Sequence, residues 1–200
     1  MPLVLLLAVV AFGGTPRVST DTVVVVFVEG HGEIPGALWA DVRFGVISIF
    51  KRINVRIEWD YRESPTYFRA DRFPVFLHVA HRGLLGISDS GPTCHTPDAY
   101  ACSMPFDGSH KIIAIYDREQ FDFPRRLKLI PRLLAHATAH EIVHIVAASD
   151  RHSPTGIMKE RWTRADIDLI EIYGLDFTEN DVLSIQSGLD AHRRRAESKQ

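Results

Sequence analysis

The stretch Ala139-His140-Glu141-Ile142-Val143-His144-Ile145-Val146 decides how this chain is read. Apolar residues crowd around three polar ones, so the spacing predicts a largely buried helix. His140 and His144 are one helical turn apart, and both rings leave the same face. Two imidazoles so placed can bind one zinc ion from one side. Glu141 lies about 100° further round the helix. That places it to contact a water in the site rather than to be a ligand. Buried imidazoles and a carboxylate need partners, which a metal supplies. The competing reading is a chance His-Glu-x-x-His pattern in an ordinary core helix.

A zinc site that does chemistry keeps three protein ligands and an open fourth position. Downstream runs Ala147-Ala148-Ser149-Asp150-Arg151-His152-Ser153-Pro154-Thr155-Gly156-Ile157-Met158. From His140 to Met158 the chain resembles the metzincin metallopeptidases. Their pattern is His-Glu-x-x-His-x-x-Gly-x-x-His followed by a methionine turn. The separation of 18 residues between His140 and Met158 is like that of the matrixin branch. The resemblance implies a zincin fold, one catalytic Zn2+, a protein or peptide substrate, and Glu141 as general base. It also implies that Met158 forms the methionine turn beneath the metal. On the residues alone, Met158 is equally ordinary core filling.

Two departures bear on the third ligand. Ala147 stands where the family has glycine, and Asp150 where it has its third histidine. His152 follows two residues later, and its order with Ser153 and Gly156-Ile157-Met158 is similar to the family's. The expected metal ligands are therefore His140, His144 and His152, with Asp150 the alternative third ligand. The one not used would orient an imidazole through its second nitrogen. A further option is a carboxylate from the next helix: Glu160, Asp166, Asp168 or Glu171. Asp166 is better explained as a helix cap, and the others as a polar face. The expected function is a zinc metalloendopeptidase. The alternative is a non-catalytic zinc-binding or interaction domain of the same fold.

The 200 residues, 46% hydrophobic and 24% charged, fit one folded domain. They exclude wholesale disorder, a collagen-like fibre and a disulfide-dense miniprotein. The net charge of −2 supplies no basic field for nucleic acid, although His192-Arg193-Arg194-Arg195 is locally basic. Residues 3–12 form an apolar run too short to span a bilayer. It reads as the core of a secretory signal, with small residues at Ala11 and Gly13-Gly14, though no Lys or Arg precedes it. A first buried strand is the competing reading. The expected organisation is a signal peptide over 1–14, one catalytic domain over 15–192 and a flexible basic tail over 193–200. The product would be a secreted or periplasmic monomer without stable membrane insertion.

Thr22–Val28, Val55–Trp59, Pro74–Ala80, Leu84–Ile87 and Lys111–Tyr116 read as strands. Residues 36–53 and 125–148 read as helices, with Pro131 kinking the second or marking its true start. Thr163 with Asp166, and Thr178 with Asp181, signal two short C-terminal helices. The first strand–helix–strand unit should be parallel and right-handed. The expected class is α+β with an α/β-like start. A twisted, mixed five-stranded sheet would pack on a backing helix and a long active-site helix. This order also resembles the metzincin upper subdomain, in which an edge strand binds extended substrate; Leu84–Ile87 would serve that way.

Residues 88–110 read as a long irregular loop. Within it, Cys94 and Cys102 can close a disulfide in an oxidising compartment, or stay as free thiols. His136 extends the histidine stripe, but it lies about 12 Å from His144 along the helix axis. It is expected to be packed or at the surface. His78 reads as core or sheet face, and His95 and His110 are given no role.

Overall fold

A computed structural model of the chain describes residues 21–29, 34–61, 71–81, 100–116 and 129–198. The β-branched run from Val23 forms the first strand, β1 (Val23–Glu29), followed by helix α1 (Gly36–Lys51) and strand β2 (Arg56–Asp60). β2 pairs with β1 in parallel, as expected of a strand–helix–strand unit. β3 (Arg72–His81) pairs on the other side of β1, also parallel. β4 (Ala101–Ser103) and β5 (Lys111–Tyr116) complete the sheet, in the order β2-β1-β3-β5-β4. β5 runs parallel to β3, whereas β4 pairs antiparallel with β5 and is the edge among the described strands.

Central β1 is covered on both faces, which is why its sequence does not alternate. Val24, Val26 and Val28 enter the main core. Val23, Val25 and Phe27 form a second cluster, with Phe76 packed against it. Among the described residues four helices accompany the sheet: α1, α2 (Leu129–Ala147), α3 (Arg164–Ile172) and α4 (Glu179–Glu197). Trp39, Val42, Val46, Ile49 and Phe50 make a buried stripe on α1 that packs toward α2. A Cβ on Gly45 would lie 2.7 Å from the Cβ of Ala135, so the absent side chain permits this helix crossing. Pro131 sits in the first turn of α2, where its missing N–H costs no hydrogen bond.

Both C-terminal helices start with the expected capping boxes, Thr163 with Asp166 and Thr178 with Asp181. α4 is not short, however. It holds 19 residues and continues to Glu197, through part of the segment expected to be a tail. Its buried stripe is narrow, Val182, Ile185 and Leu189, so the surrounding polar residues hide the helix in the sequence. A Cβ on Gly188 would collide with the Val146 carbonyl, so this glycine lets α4 close on the end of α2.

The edge of the sheet also departs from expectation. The described edge strand is Ala101–Ser103, inside the segment read as loop. Leu84–Ile87 lies outside the described residues, as do Cys94, His95 and the apolar run 3–12. Cys102, on β4, is disulfide-bonded. No helix among the described residues is long and apolar enough to cross a membrane.

Candidate metal centre

α2 carries His140 and His144 on one face, and both rings are buried. The helix ends at Ala147. Ala148 turns the chain with φ 46°, in the left-handed region that glycine prefers, at a cost of about 1 kcal/mol. The turn that the resembling family makes with glycine is thus made by alanine, one residue later. Ser149 N–H then donates to the His144 carbonyl at 3.1 Å, and the chain swings back beneath the helix.

That return brings His152 to the other two histidines. One ligand nitrogen from each of His140, His144 and His152 lies within 4.8 Å of the others. Their ring centroids are 4.7 to 5.2 Å apart. Asp150 and the four downstream carboxylates, Glu160, Asp166, Asp168 and Glu171, are not in this group. Asp166 instead caps α3 and takes an ion pair from Lys159 at 2.5 Å, while Asp168 pairs with Arg164. Asp150 is exposed, and its charge favours protonation of His144.

Backbone carbonyls hold two of the rings. Nδ1–H of His140 donates to the Ile157 carbonyl at 2.8 Å, and Nδ1–H of His144 to the Ser149 carbonyl at 2.6 Å. This leaves both Nε2 atoms with free lone pairs, which face each other at 2.9 Å. Two acceptors at that distance repel unless a cation stands between them. Burial lowers His140 to about 4 and also lowers His144, so both rings are neutral near pH 7. Tetrahedral zinc with imidazole ligands separates the donor nitrogens by about 3.4 Å. His152 is exposed and offers its nitrogen within 4.8 Å of the other two. The donor set therefore fits zinc, and it leaves a fourth position open.

The segment after His152 supports the site from below. Ser153 N–H donates to the Met158 carbonyl at 2.8 Å, which closes a turn. Gly156 takes φ 77°, and a Cβ there would strike the Asp176 carbonyl. Ile157 N–H donates to that same carbonyl at 3.0 Å. Met158 is buried in the main core. The Ser153 hydroxyl donates to Asp181 Oδ1 at 2.5 Å, while Asp181 Oδ2 accepts from the Thr178 N–H. The capping box of α4 thereby anchors the loop that carries His152. The Thr178–Asp181 signature was legible in the sequence, but this second contact spans 28 residues and left no local trace.

A cavity of about 550 Å³ opens beside the histidines, lined by His140, Glu141, His152, Tyr100, Lys159 and Trp162. Trp162 lies edge-on to both His136 and His140 at 6.3 Å. Glu141 projects toward β4 and accepts a hydrogen bond from the Ser103 hydroxyl at 2.5 Å. Burial raises its carboxyl to about 7, against the lowering effect of that bond.

The other described histidines stay out of the group. His78 is exposed on β3, a sheet-face position as expected. His110 stacks on Phe73 and contacts the Pro74 carbonyl. His136 is buried: its Nδ1–H donates to the Arg132 carbonyl at 2.7 Å, and its Nε2 accepts from Leu175 N–H at 3.0 Å. Only the neutral ring makes both bonds. Burial accordingly lowers its pKa from 6.5 to about 4.

This fixes a sign for acid stability. As the pH falls from 6.5, the unfolded chain protonates His136 first, and the folded state loses stability until about pH 4. At about 1.4 kcal/mol per pH unit, the loss approaches 3 kcal/mol. Urea unfolding of the metal-free protein and of His136→Gln at both ends of that window measures it. The variant is expected to show the weaker pH dependence, and equal dependence refutes the assignment.

No protein-family model matches this chain, and no curated protein matches it. Among solved structures, the fold is similar to the crystal structure of archaemetzincin from Methanopyrus kandleri. The TM-score is 0.50 at 11% identity, over 85% of this chain and 97% of that one. The α+β architecture, with its mixed five-stranded sheet and four helices, is thus archaemetzincin-like, and at this identity the likeness is one of fold.

Proposed function

We propose that this chain is a zinc-dependent metalloendopeptidase that acts outside the cytosol after loss of a leader at 1–14. The carrying observation is the convergence of His140, His144 and His152 beside a cavity that His140, His152 and Glu141 line. The archaemetzincin-like fold supports the reading, as does the resemblance of residues 140–158 to the metzincin motif. His140, His144 and His152 would hold the ion. Bound there, zinc would polarise a scissile carbonyl and make water acidic enough to attack near neutral pH.

The chain's own residues do the rest. The Ile157 and Ser149 carbonyls keep the His140 and His144 rings in the tautomer that points Nε2 inward. Glu141 accepts the proton of the attacking water at a carboxylate oxygen and passes it to the leaving amine. Burial lifts its proton affinity toward neutrality in the metal-free protein, and a cation in the site would draw it back toward the carboxylate form. Substrate would lie along the antiparallel edge strand β4, which borders the cavity through Ala101 and Cys102, and would use its outward main-chain groups.

Metal analysis and a casein assay test this together. Protein purified with zinc supplied should carry one ion per chain and cleave fluorescein-labelled unfolded casein. A chelator should abolish cleavage, and added zinc should restore it. Stoichiometric zinc without cleavage identifies the non-catalytic zinc-binding domain instead, and a protein that takes up no zinc defeats both readings.

A further inference from the structure

The carboxylate of Glu141 has one hydrogen-bond partner among the described residues, the Ser103 hydroxyl at 2.5 Å. The two residues are 38 positions apart and come from different layers of the fold. Alternation along β4 places Ala101 and Ser103 on one face and Cys102 on the other. Ala101 is buried, and β4 packs against α2 on that side. Glu141 leaves α2 about 100° from His140, toward this strand. Ser103 therefore meets the carboxylate because strand period and helix period agree at this crossing.

The backbone that presents the hydroxyl is well held. Cys102 pairs with Ile113 and Ser103 with Ile112 in the antiparallel ladder, and Met104 N–H adds a bond to the Lys111 carbonyl at 3.2 Å. Cys102 is tied by its disulfide. A glutamate side chain has three rotatable torsions, and one short bond to a fixed donor removes much of that freedom. The bond engages only Oε2.

We propose that Ser103 is a positioning residue for Glu141: its hydroxyl, presented from edge strand β4, holds Oε2 and leaves the other oxygen for the water. The inference rests on the proposed function, in which Glu141 is the general base. It differs from a simple strand-to-helix tie, which would affect stability without governing turnover. The hydroxyl also sits at the edge where substrate would lie, so it couples placement of the base to the strand that receives the peptide.

The test compares the full chain with Ser103→Ala and with Ser103→Thr, which keeps the hydroxyl on a β-tolerant side chain. In zinc-free protein labelled with carbon-13 glutamate, NMR relaxation reads the order of the Glu141 side chain. Ser103→Ala is expected to release it into the flexible range, and Ser103→Thr to restore it. In zinc-loaded protein, Ser103→Ala should lower kcat on labelled casein by up to about a hundredfold with little change in KM. Ser103→Thr should recover most of that loss. An equally ordered Glu141 in Ser103→Ala overturns the proposal, as does a kcat loss that threonine fails to rescue. A parent protein that holds no zinc or cuts nothing defeats the proposed function instead, and the NMR comparison still decides the role of Ser103.

Discussion

Glu141→Gln should keep its zinc and lose casein hydrolysis by about 10² to 10⁴-fold, the range that a general acid–base group supplies. Glutamine preserves the shape and one acceptor oxygen, so the Ser103 hydroxyl keeps its partner. What it lacks is a proton acceptor basic enough to serve the attacking water. Glu141 is outside the three-histidine group, so the metal content should not change. The fold should not suffer either. Burial raises the Glu141 carboxyl from 4.5 to about 7, so its ionisation costs the metal-free parent stability as the pH rises through that interval. The neutral amide escapes this cost, and metal-free Glu141→Gln should be the more stable protein above pH 7. In zinc-loaded parent protein the nearby cation favours the carboxylate, so the acid limb of the rate should lie below pH 7. Activity within a few-fold of the parent, with zinc bound, would remove Glu141 from the mechanism.

The elements that the sequence announces most clearly are those whose pattern is long and whose chemistry is local. Lys111–Tyr116 has the bounds expected of it, and β1 and β2 shift by one residue. α1 shows its buried stripe because solvent wets its other side. α2 reads as a helix for a different reason: nearly all of it is buried, so its polar residues stand out as chemistry. The two capping boxes are self-contained signals over four residues, and both are present.

The edge strand is the clearest miss. Ala101-Cys102-Ser103 is too short to establish a period, and Pro105 and Gly108 mark its surroundings as turn. It is a strand only because β5 offers a ladder beside it. The same is true of the contacts that tune the site. Ser103 reaches Glu141, and Ser153 reaches Asp181, through crossings that no local pattern encodes. His140 and His144 were legible because one helix fixes their spacing. The place of His152 depends on a loop whose turn falls at Ala148, one residue beyond the place the resembling motif assigns to glycine.

That loop yields the second large effect. His152→Ala should lower zinc affinity by more than the 10- to 100-fold that removal of an outer hydrogen-bond partner costs, since it deletes a ligand itself. Asp150→Ala should stay within about tenfold, because Asp150 lies outside the ligand group and acts on His144 only through its charge. Both residues are exposed, so neither alanine opens a core cavity, and a lost metal cannot be ascribed to a lost fold. Ser153→Ala should fall between them. It frees the loop from Asp181 at 2.5 Å while keeping all three imidazoles. Competition with a chromophoric zinc chelator gives the three affinities on one scale. If Asp150→Ala alone loses the ion, the helix-end carboxylate is the third ligand and His152 its outer partner. If the order is His152, Ser153, Asp150, then α4 acts on the metal through the loop its capping box holds. The three-histidine centre is then built by α2, the loop that follows it and the α4 cap that holds that loop, rather than by the motif helix alone.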